Sequence, residues 1–129
     1  VTPDQIERVS SVVADVGTHP EFAPRFYERL SAAEPVAADV FIDLRDEQDL
    51  THELEAMTGL LSDIAALDAR ARDIGARHRR HGVRAAHYRV ARTVMIDTLH
   101  EVLGDEFGPE DEEAWNRAAF LITELLQAS

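Results

Sequence analysis

The chain has 129 residues, a formal net charge of −12 and no cysteine. This length suits one domain, expected to cover residues 1–129, and the lack of thiols excludes disulfides, iron–sulphur clusters and cysteine nucleophiles. The acidic balance argues against a nucleic-acid partner, and no run of about 18 uncharged apolar residues exists to cross a bilayer.

The first residues, Val1-Thr2-Pro3-Asp4, do not have the basic-then-apolar pattern of a signal peptide, which fits a cytoplasmic protein. Thr2-Pro3-Asp4-Gln5 reads as a helix start, with Pro at the first helical position and Gln three residues after Thr. Ile6, Val9, Val12, Val13 and Val16 then recur at helical spacing until Gly17. A second helix carries Phe22, Phe26, Tyr27 and Leu30, with Pro24 in its first turn. Glu34-Pro35 begins a short helical turn ending near Val40 and Phe41, and the mostly polar stretch from Ile42 to Gln48 reads as a connection.

Leu50, Leu54, Met57, Leu61 and Ile64 form the apolar stripe of the next helix. A shorter helix is expected from about Asp68 to Arg80, broken at Gly82. Residues 85–103 form a long helix with Tyr88, Ala91, Val94, Met95, Thr98, Leu99 and Val102 on its apolar side, closed by Gly104. Pro109 opens the last helix, whose apolar face holds Trp115, Ala118, Ala119, Ile122, Leu125 and Leu126. Its first turn holds Glu110 to Glu113, where the helix dipole favours acids. No segment reads as a strand. About seven helices of these lengths can form an ordinary bundle or a helical sandwich, and periodicity alone does not choose between them.

The six histidines are His19, His52, His78, His81, His87 and His100. No His-Glu-x-x-His motif and no repeated Glu-x-x-His pair is present, so neither a zinc-protease site nor a carboxylate-bridged di-iron bundle is supported. His78 and His81 stand three apart, but no third metal ligand is evident. Arg70, Arg72, Arg77, Arg79, Arg80 and Arg84 crowd one stretch of an otherwise acidic chain, which reads first as a solvated helix end.

One run of residues carries more information. His78-Arg79-Arg80-His81-Gly82-Val83 is followed by Tyr88, ten residues after the first histidine. Leu103-Gly104-Asp105 then ends the long helix, and Ala114-Trp115 comes early in the last one. Upstream stand Phe26-Tyr27-Glu28-Arg29-Leu30, Glu34-Pro35 and Val40-Phe41, with Tyr27 and Phe41 fourteen apart. This pattern resembles the bacterial globins, both single-domain haemoglobins and the globin part of flavohaemoglobins, over nearly the whole chain. The resemblance implies an all-α globin fold, a helical sandwich around a pocket for haem b (iron protoporphyrin IX).

The resemblance also implies roles. His78 is the proximal iron ligand, because a neutral imidazole supplies the axial donor in globins. Its second ring nitrogen needs a partner, either a carbonyl of its own helix or the Tyr88 hydroxyl. Phe41 lies against the porphyrin, Val83 packs beneath its edge, and Tyr27 directs its hydroxyl into the distal pocket. Leu54, Met57 and Met95 complete the apolar wall. Arg77 and Arg84 flank His78 and are available to the two propionates. Counting on from Phe41 without a gap puts Thr51 and Glu55 toward the ligand, whereas the apolar stripe points Leu50, Leu54, Met57 and Leu61 inward. The stripe is preferred, since an ionised Glu against porphyrin carries a large desolvation cost. Whether Thr51, His52 or Glu53 reaches the ligand stays open, with His52 read as exposed.

Three functions follow from the resemblance. The first is reversible binding, carriage or storage of oxygen or nitric oxide, with carbon monoxide as a further ligand. The second is a nitric oxide dioxygenase served by a separate reductase, since these residues hold no glycine-rich dinucleotide fingerprint. The third is a globin-like sensor or regulatory module. Phe120 and Leu121 lie off the stripe of the last helix and suggest a homodimer contact.

Overall fold

A computed structural model describes residues 1–128. Helix α1, Pro3–Val16, starts at Thr2, whose side chain accepts the Gln5 N–H while the Gln5 side chain accepts the Thr2 N–H. These two bonds satisfy two donors that a helix start leaves without partners. Its inward face is Val9, Val12, Val13 and Val16. Helix α2, Phe22–Ala33, buries Phe22, Phe26, Tyr27 and Leu30.

A 3-10 turn, Pro35–Ala37, leads into α3, Ala38–Glu47, which buries only Phe41 and Leu44. The stretch read as a connection from Ile42 is therefore mostly helix. Two inward side chains on a short polar segment are too few to show a helical stripe against Asp43, Arg45, Asp46 and Glu47. Helix α4, Leu50–Thr58, starts at Asp49, whose carboxylate accepts the His52 N–H. It stops before the end of the expected stripe. Leu61 is buried beyond it, but Ile64 is 53% exposed and opens the next helix.

That helix, α5, runs Ile64–Arg80 and is longer than expected by its first turn. The Asp63 carboxylate caps it by accepting the Ala66 N–H. At the other end Gly82, with φ of +92°, takes a left-handed turn that few other residues adopt. The turn lets the Val83 N–H close on the His78 carbonyl at 3.0 Å. Helix α6, Ala85–Leu103, and α7, Pro109–Gln127, lie where the periodicity put them.

Helix α2 packs on α6, and α7 packs on both α1 and α5. Helix α4 lies against α1. Among the described residues there is no strand, and no helix is long and apolar enough to cross a membrane. Between these pairs a cavity remains, walled by α2, α3 and α4 on one side and by the ends of α5 and α6, with α7 behind.

Candidate functional site: a histidine-bearing apolar cavity

Of the residues singled out in the sequence, Tyr27, Phe41, Leu54, Met57, His78, Val83, Tyr88 and Met95 all line this one cavity. They come from five different helices and the turn between α5 and α6, so the fold brings together what the sequence holds apart. Arg77 is not in the wall. Its guanidinium donates to the Glu53 carboxylate at 3.2 Å and lies 3.5 Å from the Gln48 amide oxygen. Arg84 is exposed.

His78 sits in the last turn of α5, half-buried. Its Nδ1 lies 2.8 Å from the Tyr88 hydroxyl on the first turns of α6. The ten-residue spacing works because the Gly82 turn brings the first turn of α6 to the end of α5. Burial holds the imidazole pKa down to about 4, with the Arg77 charge adding to the effect, so the ring is neutral at pH 7. Burial also pushes the Tyr88 phenol up to about 12, so it keeps its proton. A phenol can donate or accept. When Nδ1–H donates to Tyr88, the lone pair of Nε2 is left for the cavity.

On the other side Tyr27 is buried on α2, its ring edge-on to Phe26 with centroids 5.4 Å apart. Burial raises its phenol pKa, partly offset by a hydrogen bond from the Gln48 side-chain amide at 2.7 Å. Gln48 is the residue that sequence reasoning missed. It follows α3 directly, and its amide oxygen also stands 3.4 Å from His78 Nε2. One side chain thus reaches toward both Tyr27 and His78. Its only sequence signal was a position fixed between the end of one helix and the Asp49 cap of the next.

The polar residues of α4 sort as follows. His52 is exposed, as the sequence favoured. Thr51 is half-buried outside the cavity wall. Glu53 is buried at 8% exposure, yet it faces α5 and not the cavity. Its carboxylate takes Arg77 at 3.2 Å and Arg70 at 3.3 Å. The apolar stripe therefore set the register: Leu50, Leu54 and Met57 line the cavity and Glu55 is exposed.

The donor set fits a haem. Of the two imidazoles in the wall, His87 accepts the Arg84 N–H and stands edge-on to Phe41, whereas the neutral His78 ring borders the apolar space and is held by a bond at its Nδ1, which is the arrangement a metal-ligating histidine needs. The Trp115 indole N–H, also in the wall, is buried without a partner among the described residues. The cavity measures about 160 Å³, below the roughly 300–1,000 Å³ of ordinary small-molecule sites. A flat macrocycle therefore enters only as wall side chains give way, Gln48 among them, since its amide oxygen stands at His78 Nε2.

The globin family model matches residues 25–125, most of the chain and, in whole or in part, every helix that builds the cavity except α1. The chain belongs to the globin family. As a globin it is a haem-binding protein by family. This globin is 32% identical over 104 residues to the anaerobic nitrite reductase NSHB5 of Oryza sativa subsp. indica, a match covering 74% of this chain and 72% of that protein. It is 24% identical over 116 residues to an anaerobic nitrite reductase of Brassica napus, covering 77% and 72%. Over 125 residues it is 24% identical to the flavohemoprotein of Bacillus subtilis, covering 92% of this globin but 31% of the longer relative.

Proposed function

We propose that this globin carries haem b and reversibly binds oxygen or nitric oxide, in the cytoplasm. The observation that supports it best is the His78–Tyr88 bond beside an apolar cavity that also receives the Tyr27 hydroxyl. When bound, haem b would supply an iron able to bind a diatomic gas. His78 holds the group through Nε2, and Tyr88 fixes the ring by accepting from Nδ1–H. In that tautomer the other nitrogen is free to ligate, and the bond raises its basicity. Phe41, Val83, Leu54, Met57 and Met95 pack around the macrocycle and keep water out. The Tyr27 hydroxyl accepts from Gln48 in this structure; with Gln48 displaced by the haem, its O–H would be left to donate to a bound gas.

A second reading is redox chemistry on nitrogen oxides, favoured by the relatives named nitrite reductases and flavohemoproteins. Dioxygenation of nitric oxide and reduction of nitrite both consume electrons that these residues do not themselves supply. A separate reductant is part of that reading.

Replacing His78 by Ala tests the assignment. Hemin titrated into the unaltered protein should give a strong, saturable absorption band, and the variant should lose tight binding by at least about tenfold, the effect expected when a ligand or its support is removed. Equal affinity and an identical spectrum in the variant would overturn the role of His78.

A further inference from the structure

Charge is unevenly distributed over this globin. All thirteen basic residues are arginine, and residues 74–96 hold six of them with no acid. That stretch carries +6 in a chain whose total is −12. Two of the six are engaged. Arg77 is held by Glu53, and Arg92 bonds Thr123 at 2.7 Å and stacks on the exposed Phe120 ring. The other four, Arg79, Arg80, Arg84 and Arg89, are exposed and have no ion-pair partner among the described residues.

Their places in the fold give the four a common address. Arg79 and Arg80 end α5, Arg84 immediately precedes α6, and Arg89 lies in the second turn of α6. The corner they frame is the one that carries His78 and Tyr88. Arg79 is close enough to Tyr88 for its charge to act on the phenol. A positive patch thus stands immediately outside the His78–Tyr88 pair.

We infer that this corner is the docking face for an acidic electron-carrier protein. The inference rests on the haem reading above and gives its missing reductant a place to bind. The carrier, a reduced flavin or iron–sulphur protein, gives up one electron, and the ferric iron takes it up to become ferrous; no bond forms or breaks. Charge complementarity selects the occupant. Surface charges beyond about 8–10 Å are screened at physiological salt, so the four unpaired arginines decide what docks and the acidic remainder decides how far the contact spreads. A polynucleotide or an anionic bilayer extends past the patch onto acidic surface, of which Glu47, bonded to His81 at the same corner, is the first. An acidic protein patch of similar size does not. Arginine suits such a contact, since its planar fork pairs with carboxylates in two places at once.

The test uses an acidic flavodoxin as probe and the variant Arg79→Gln/Arg80→Gln/Arg89→Gln, which leaves the propionate candidate Arg84 in place. These side chains are exposed, and circular dichroism verifies the fold. Binding of oxidised flavodoxin to the haem-free protein is followed by NMR titration across a salt series. Reduction of the hemin-loaded protein by reduced flavodoxin is followed by absorbance, with dithionite as the small-molecule control. The inference expects binding and flavodoxin-driven reduction to fall about tenfold or more in the variant at low salt, to converge with the unaltered protein at high salt, and dithionite reduction to stay unchanged. Equal binding and equal salt dependence would overturn it. So would tighter binding of the unaltered protein to a DNA oligonucleotide or to anionic vesicles than to flavodoxin, lost in the variant. A chain that takes up no hemin defeats the haem reading separately, because the binding arm is measured without haem.

Discussion

His78 differs from the other histidines by its surroundings and not by its chemistry. It alone is bonded to a buried tyrosine at the edge of an apolar space, and that burial holds its pKa down to about 4. The unfolded chain has an ordinary histidine near 6.5, so between these values the unfolded state binds the extra proton. Stability of the haem-free protein should therefore be unaffected by His78 above pH 6.5, fall as pH drops toward 4, and level off below. The full loss is about 3 kcal/mol at most. Urea midpoints across that range, compared with a His78→Phe variant, measure it; parallel curves would sink the idea. Tyr27→Phe should raise the oxygen off-rate by removing the donated bond, and stopped-flow release of oxygen is the measurement; an unchanged rate makes Tyr27 a packing residue. The spacing of His78, Tyr88, Tyr27 and Phe41 was readable because each lies on a helix with a clear face. Gln48 was not readable, since a residue between two helices has no periodicity to place it.

At the scale of elements, strongly striped helices were legible and the polar ones were not. Helix α3 turns only Phe41 and Leu44 inward, so its polar residues outvote its core side. The boundary between α4 and α5 was misplaced because Leu61 and Ile64 continue the spacing of α4 across a break. The Asp63 cap is the local signal that overrides that spacing. Gly75 in α5 illustrates what no sequence pattern shows. A Cβ built there would stand 2.3 Å from the Leu126 carbonyl oxygen of α7, so only glycine permits this approach of the two helices. Alanine in a helix interior is ordinarily favoured over glycine by about 1 kcal/mol. Here the clash is with backbone, and overpacking of this kind costs about 1–3 kcal/mol. Gly75→Ala should thus lower the denaturation midpoint and loosen the end of the helix that holds His78. A variant as stable as the unaltered protein would show that α5 and α7 slide apart without penalty.

For the whole molecule, a family resemblance read from scattered residues agreed with the fold because the globin pattern is a set of spacings between helices, and spacings survive where identities do not. The relatives at 24% identity still cover up to 92% of the chain. The cavity is the place where that fold is incomplete on its own. It is lined by apolar side chains from almost every helix, and it includes a buried indole N–H without a partner among the described residues. A ligand that binds only the folded state adds RT ln(1 + [L]/Kd) to its stability, about 2.7 kcal/mol at a free concentration one hundred times Kd. Hemin should therefore shift the urea midpoint upward, with each further tenfold of free hemin adding about 1.4 kcal/mol. The His78→Ala variant should start from a similar haem-free midpoint and respond far less, which separates loss of ligation from loss of folding. A midpoint indifferent to hemin in the unaltered protein would mean that the helices close on an apolar core and not around a cofactor.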